Sequence, residues 1–278
     1  MIPIDHVKFL VIETHSYCDL QCPTCMRQSD PTRSRWKDGV KLNVRMLHET
    51  VLKILDQASE LEFKGMVAFV GYCEPLLDPR VPAFIRYAKE KNLYTYTSTN
   101  GTVLTPDLAK ELDGFLTYIH VSVYGKDLEA RKKHFASLFN KTEVRFSSKH
   151  ATTHYSPRGN LESKIKRFLH WPCDTARDYL HIRYWGDLAL CCEDVNCVFK
   201  LGNIHSQTLE ELWLGNRNQK ILQNLRSPRG RLKYPFCRIC PRPGYPYGYL
   251  DVQRTLFSNL GIELDYGVKF TDREKQQS

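Results

Sequence analysis

The 278-residue chain carries ten cysteines, and they come in groups. Cys18, Cys22 and Cys25 form C-x3-C-x2-C on one short stretch. Three thiolates so close in sequence can wrap one corner of a cubane iron–sulfur cluster at little loop-closure cost. They leave the fourth iron open, and an open position suits catalysis, whereas a closed site is structural. The competing reading is a zinc site with His15 as the fourth ligand. A second group starts at Cys173, followed after 17 residues by Cys191 and after a further 45 by the C-x2-C of Cys237 and Cys240. Four thiolates there would close either a second cluster or a zinc ribbon. Cys192, adjoining Cys191, could replace it as a ligand. Cys73, Cys192 and Cys197 lie outside both sets, and buried cysteine is usually a small hydrophobe.

These groups need elements to position them. Residues 6–14 are apolar and β-branched, which predicts a buried strand directly ahead of the first cysteines. Residues 44–61 place Leu47, Val51, Leu52, Ile54, Leu55 and Ala58 at helical spacing. A short apolar run at 66–70 predicts a strand, 81–91 a helix, and 93–98 a strand ending at the Asn100-Gly101 turn. Thr105-Pro106 reads as an N-cap with Pro at the first helical position, opening a helix to residue 112. Residues 118–123 predict the next strand. This alternation implies a parallel sheet with helical crossovers, an α/β fold. Residues 145–159 are polar and read as a loop or domain boundary. Gly186-Asp187, between apolar runs at 179–184 and 188–192, predicts a hairpin. Residues 208–225 predict a helix interrupted at Gly215-Asn216. Five prolines in 227–249 exclude regular helix there. The charged stretch 269–278 reads as a frayed end.

Hydrophobic residues at 42% and charged residues at 26% exclude a disordered or fibrous chain. No apolar run is long enough for a transmembrane helix, so no membrane partner is expected. Asp5 and His6 stand where a signal peptide would need apolar residues, which points to a cytoplasmic protein. In that compartment, clustered cysteines suggest metal rather than disulfides. The formal charge of +9 favours an acidic or phosphorylated partner. Basic clusters occur at Arg131-Lys132-Lys133, Lys164-Lys166-Arg167 and Arg226-Arg229-Arg231-Lys233, but solvated surface explains such runs without nucleic acid. Aromatic Tyr245, Tyr247 and Tyr249 could stack on a sugar or base, or cover the second cysteine group.

With C-x3-C-x2-C directly after the first strand, the chain resembles the radical SAM superfamily. In that family S-adenosylmethionine chelates the open iron. One electron then breaks its sulfonium C–S bond, and the resulting 5′-deoxyadenosyl radical abstracts hydrogen from an unactivated C–H bond. The cofactor carries the hard chemistry while the protein positions and shields it. Gly71-Tyr72-Cys73-Glu74-Pro75 resembles the family's G-G-E-P turn, which holds the methionine amino group. Tyr72 and Cys73 depart from it and put a thiol near the reactive centre. Ser98 and Asn100, in Thr97-Ser98-Thr99-Asn100, resemble the ribose-contacting segment, and Ser122 the polar position near the carboxylate. Thr24 stands where the family usually has an aromatic residue.

The second cysteine group, with Gly186 four residues before Cys191, resembles the twitch domain, the short form of the SPASM extension. Leu201-Gly202-Asn203-Ile204 and Thr208-Leu209-Glu210-Glu211-Leu212-Trp213 are similar to SPASM-type segments as well. The resemblance implies a partial (β/α)6-type barrel over residues 1–155. It implies a small β-hairpin and helix iron–sulfur domain over 156–250, and a tail over 251–278. It also implies two 4Fe–4S clusters, one on Cys18, Cys22 and Cys25 and one on Cys173, Cys191, Cys237 and Cys240. Length and the 17- and 45-residue cysteine gaps resemble those of twitch-containing aminocyclitol dehydrogenases of the butirosin type. The expected activity is therefore oxidation of a small polar, sugar-like or nucleotide-linked substrate, with flavodoxin or ferredoxin as electron donor. Arg145, His150 and His154 are the candidate bases. The alternatives are an epimerase, with Cys73, Cys192 or Cys197 returning a hydrogen atom, and a peptide-modifying maturase. The alternative outside enzymes is a zinc-bound nucleic-acid-binding module.

Overall fold

The computed structural model describes residues 1–20, 22, 25, 44–125, 127–148, 172–173, 175–238 and 240. Strands β1 (Phe9–Ile12), β2 (Met66–Phe69), β3 (Tyr94–Thr99), β4 (Tyr118–Val123) and β5 (Glu143–Ser148) lie side by side in chain order, all parallel. Helices α1 (His48–Glu60), α2 (Val81–Glu90), α3 (Pro106–Leu112) and α4 (Leu128–Ser137) fall between successive strands or sheet edges. On the other side of β1 lies β6 (Tyr179–Ile182), also parallel, with β7 (Leu188–Ala189) antiparallel to it. The sheet order is β5-β4-β3-β2-β1-β6-β7. So five strands run in sequence order, and the sixth parallel strand joins at β1 rather than after β5.

Side-chain alternation sorts the two faces. Leu10, Ile12, Val67, Phe69, Ile119, Val121 and Val123 join Val51, Ile54, Leu55, Phe84, Ile85 and Ala88 of α1 and α2 in the hydrophobic core. The opposite face carries a row of rings. Tyr179 stacks on Phe9 at 4.9 Å, Phe9 meets Tyr96 edge-on at 5.9 Å, and Tyr96 stacks on Tyr118 at 4.6 Å. The Arg145 guanidinium covers Tyr118 at 4.4 Å. This row fills the early-strand part of the inner face. Polar residues follow toward the strand ends: Ser98, His120, Ser122 and Ser147.

Local chemistry sets the helix starts. Thr105 accepts from the Leu108 amide, with Pro106 at the first position. In α5 (Leu209–Leu214), Thr208 and Glu211 form a reciprocal capping box. Helix α6 (Asn216–Leu225) begins after Gly215, the predicted break. The proline-rich stretch yields only a 3-10 turn at Gly230–Lys233 and the one-turn helix α7 (Pro235–Arg238). Gly186 turns the β6–β7 hairpin with φ +93°, and a Cβ there would strike His205. The chain start is tied to these helices: Trp213 donates to the Ile2 carbonyl at 2.9 Å, and the Ile2 amide donates to Gln219 at 2.6 Å.

Two features differ from the sequence expectation. Residues 145–148 belong to β5, because all six residues of the strand pair with β4 and backbone bonding outweighs their polar composition. Helix α4 has no apolar periodicity to announce it. Asp127 caps it, and Phe135 is its one buried residue. The expected boundaries at 155/156 and 250/251 lie outside the described residues, as do His150, His154, Lys164, Lys166, Arg167, Tyr245, Tyr247, Tyr249 and the tail. Among the described residues no helix is long and apolar enough to cross a membrane.

Candidate active site and auxiliary cysteine site

The C-terminal ends of β1 to β4 build the first site. The loop after β1 is fastened to the turn after β2. The Glu74 amide donates to the Tyr17 carbonyl at 3.0 Å, and His15 Nε2 lies 3.0 Å from the Glu74 carbonyl. The Tyr17 amide donates to His15 Nδ1 at 3.2 Å, which fixes the proton on Nε2. Burial lowers the His15 pKa. With both ring nitrogens occupied, His15 is a loop brace and not a spare metal ligand. Further along, the Cys25 amide donates to the Cys22 carbonyl at 2.9 Å, a tight C-x2-C turn.

Glu74 is buried, and both its oxygens are taken. They accept from the Leu76 amide, the Thr99 hydroxyl at 2.7 Å and the Asn100 amide at 2.6 Å. Burial outweighs these donors and pushes its pKa to about 7. Glu74 thus locks the end of β3 to the β2 turn. That lock places the Asn100 side chain, which donates to Asp19 at 2.8 Å and sits 3.9 Å from Cys18 Sγ. Thr102 donates to the same Asp19. Ser98 pairs with His120 Nδ1 at 3.2 Å, and Ser122 with Ser147 at 3.3 Å. Tyr124 is bonded to Ser122 and Cys22, and burial first, then the Cys22 thiol, pushes its pKa up to about 12. Burial, with Glu13 and Glu74 nearby, holds the Cys73 pKa well above the usual thiol range, so it stays a neutral S–H. Motif spacing missed Asp19, Thr102, His120 and Tyr124; nothing in their local sequence marks them.

One ion pair reaches from this site toward the second cysteine group. Glu13 accepts from the Tyr72 amide at 2.7 Å and faces Arg183 at 3.0 Å, both side chains fully buried. Glu13 leaves no room for a side chain at Gly71, where a Cβ would lie 2.5 Å from its carboxylate oxygen. Arg183 follows β6 and is ringed by Tyr72, Tyr184 and Trp185 at 5.2–5.8 Å. A charge inside the apolar run at each strand end was the available signal for this pair.

The loop after β7 carries Cys191, Cys192 and Cys197. Asp194 organises it by accepting from the Leu190 and Val198 amides. Cys191 is buried, and burial, with Cys192, Cys240 and Cys173 nearby, pushes its pKa up. The Cys173 amide is held by the Leu225 carbonyl at 2.8 Å. The Cys240 amide donates to the Cys237 carbonyl at 3.2 Å, repeating the turn of the first site. Buried Arg231 donates to the Cys240 carbonyl. Among the described residues no three His, Cys, Asp or Glu groups converge on a single metal ion. Cys197 is buried, with burial and Asp194 pushing its pKa up, and it also feels Arg183 and Glu13. Thiol groups of this kind suit soft iron–sulfur ligation.

The radical SAM superfamily profile matches residues 12–141, and that of an iron-sulfur cluster-binding SPASM domain matches 173–241. The chain carries a radical SAM domain followed by a SPASM domain. The two domains bring iron–sulfur and S-adenosylmethionine binding with them. The radical SAM protein is 23% identical over 243 residues to the S-adenosyl-L-methionine-dependent 2-deoxy-scyllo-inosamine dehydrogenase of Niallia circulans, covering 84% of this chain and 92% of that one. It is 35% identical over 106 residues to the tungsten-containing aldehyde ferredoxin oxidoreductase cofactor-modifying protein of Pyrococcus furiosus. That match covers 38% of this chain and about a quarter (27%) of the relative's length. Its fold is similar to that of BtrN in complex with AdoMet and 2-DOIA, with a TM-score of 0.68, 22% identity, and coverage of 85% and 93%.

Proposed function

We propose that this radical SAM protein holds two 4Fe–4S clusters and oxidises a C–H/O–H pair of a small, hydroxyl-rich substrate of the aminocyclitol or sugar class. The observation that carries the reading is the pairing of β1 with β6. This one pairing sets the three-thiol loop at the end of β1 beside a strand that has Cys173 before it and Cys191, Cys237 and Cys240 after it. Cys18, Cys22 and Cys25 would hold the cluster with the open iron. Cys173, Cys191, Cys237 and Cys240 would hold the auxiliary cluster. Bound at the open iron, S-adenosylmethionine supplies the hydrogen-abstracting radical.

The remaining residues position and exclude. Gly71 and Tyr72 present backbone to the methionine amino group, and Glu13 fixes that turn from behind. Glu74 keeps Asn100 aligned beside Cys18. Ser98, Asn100 and Ser122 line the side of the cofactor site. The ring row Tyr179–Phe9–Tyr96–Tyr118 closes the inner face against water, so that substrate hydroxyls meet Ser98, His120 and Arg145. Full conversion leaves no net electron demand: one electron cleaves the cofactor, and one leaves the substrate with a proton. A ferredoxin- or flavodoxin-type donor starts the cycle in a reducing cytoplasm. The similarity to the Niallia dehydrogenase over most of both chains supports this substrate class.

Anaerobic reconstitution tests the reading. Wild type should take up about eight irons per chain, falling to about four in a Cys18→Ala/Cys22→Ala/Cys25→Ala variant. With dithionite and an aminocyclitol, a product two mass units lighter should form together with 5′-deoxyadenosine. Four irons in wild type would remove the auxiliary electron acceptor and overturn oxidation. A second reading, epimerisation, draws on the neutral Cys73 thiol beside Cys18. It requires solvent deuterium at the reacting carbon and no change in oxidation state.

A further inference from the structure

A groove of about 470 Å³ opens between the loop after β7 and helix α6. Val198, Phe199, Ile221, Tyr234, Pro235 and Phe236 form its apolar walls. Phe199 meets Phe236 edge-on at 5.3 Å and Tyr234 at 5.8 Å, so the floor is rigid. Val198 is 49% exposed. Arg217 and Lys220 line the same groove, one helical turn apart on α6, and both are exposed.

The charge around the groove is one-sided. Residues 212–250 contain eight Lys and Arg and no Asp or Glu. Of these, Arg217, Lys220, Arg226, Arg229, Lys233 and Arg238 are exposed. The groove also adjoins the auxiliary cysteines through the chain itself. Val198 directly follows Cys197, and Phe236 directly precedes Cys237. An apolar centre with a charged rim is the anatomy of a protein interface, and a single-sign field steers an oppositely charged partner.

We infer that this face docks a small acidic one-electron carrier protein of the ferredoxin or flavodoxin type, seated over the auxiliary cluster. The inference rests on the two-cluster reading above. The step it serves is outer-sphere transfer of one electron, with no bond made or broken. The substrate radical gives up an electron and a proton, the oxidised carrier is reduced by that electron, and the reduced carrier returns it through the same face to start the next cleavage. A phosphate backbone would meet the same cations. The placement of the groove walls next to Cys197 and Cys237 favours the redox protein.

The test uses the reconstituted full chain. Binding of an oxidised acidic [2Fe–2S] ferredoxin is measured calorimetrically at low and high salt. S-adenosylmethionine cleavage is driven in parallel by reduced ferredoxin and by dithionite. An Arg217→Glu/Lys220→Glu variant should bind at least tenfold more weakly, with a flatter salt dependence, and lose ferredoxin-driven turnover while keeping dithionite-driven cleavage. A milder Lys220→Gln variant should show the same trend if the double variant folds poorly. An Arg131→Glu/Lys132→Glu variant on α4 should behave like wild type. Unchanged ferredoxin affinity in both groove variants would overturn the proposal. So would tighter binding of single-stranded RNA that is lost in the same variants. Absence of dithionite-driven cleavage in wild type would instead refute the catalytic reading, leaving the binding measurement to judge the docking face.

Discussion

Replacing Arg183 with methionine isolates the Glu13–Arg183 pair. The pair is separated by 3.0 Å with both side chains at 0% exposure, so neither charge has water to fall back on. Removing the cation leaves the Glu13 carboxylate with the Tyr72 amide at 2.7 Å but no counter-charge. Breaking a buried pair this way costs about 3–5 kcal/mol. A domain has only about 5–15 kcal/mol to lose, so the urea midpoint should fall by a large fraction. The double variant Glu13→Gln/Arg183→Met removes both charges. It should regain much of the loss, since no uncompensated charge is then buried and the glutamine oxygen can still accept from the Tyr72 amide. The same cycle should register at the cofactor. Glu13 holds the Tyr72 amide against Gly71, and a loosened turn should raise the KM for S-adenosylmethionine about tenfold, equivalent to about 1.4 kcal/mol. Anaerobic urea unfolding followed by circular dichroism, alongside 5′-deoxyadenosine formation, gives both readouts. A single variant within about 0.5 kcal/mol of wild type, or a double variant less stable than the single, would refute the reasoning.

Three further outcomes follow from the same geometry. Gly71→Ala places a methyl group 2.5 Å from the Glu13 carboxylate. It should abolish S-adenosylmethionine cleavage while leaving the iron count unchanged, which iron assay and product chromatography check together. The Glu74 proton leaves the unfolded chain near 4.5 and the folded one near 7. Its contribution is therefore full below pH 4.5 and lost as pH rises to about 7. Wild type should lose about 3 kcal/mol relative to Glu74→Gln across that window in urea titrations. His181 runs the other way. It is buried on β6, neither ring nitrogen has a hydrogen-bond partner among the described residues, and burial, then Arg183, lowers its pKa from 6.5 to about 3. The unfolded chain takes up this proton first, so stability falls below pH 6.5, by about 2 kcal/mol at pH 5. A His181→Leu variant should flatten that slope in thermal melts between pH 4.5 and 7.

The strand-and-helix alternation of the first half was legible because each strand there buries an apolar face against a periodic helix. Residues 118–123 are β4 without adjustment, and Thr105-Pro106 opens α3 as its chemistry demands. The cysteine spacing was legible because closely spaced thiols have few other uses. Strand β5 and helix α4 were not, since Glu143–Ser148 owes its conformation to pairing with β4 and α4 buries little besides Phe135. The Glu13–Arg183 contact was beyond local reading as well. It exists only because β6 adds beside β1, a pairing between distant stretches that no periodicity encodes. Glu74 shows a related limit. Its motif marks it for the cofactor, whereas its carboxylate is spent bracing Leu76, Thr99 and Asn100.

The register of β1 against β6 therefore governs more than strand order. Phe9 opposite Tyr179 and Ile12 opposite Ile182 bring Glu13 and Arg183 together just past the last paired residues. One residue of slip would turn Arg183 out of the inner face and move the loop bearing Cys191 relative to that bearing Cys18. The stacked Phe9 and Tyr179 rings on the inner face, and Leu10 and Ile12 in the core, oppose such a slip from both sides. The separation of the two cysteine sites is thereby a property of the central strands rather than of a flexible linker. On the proposed two-cluster function, electron transfer between the sites would use a separation set once, on folding.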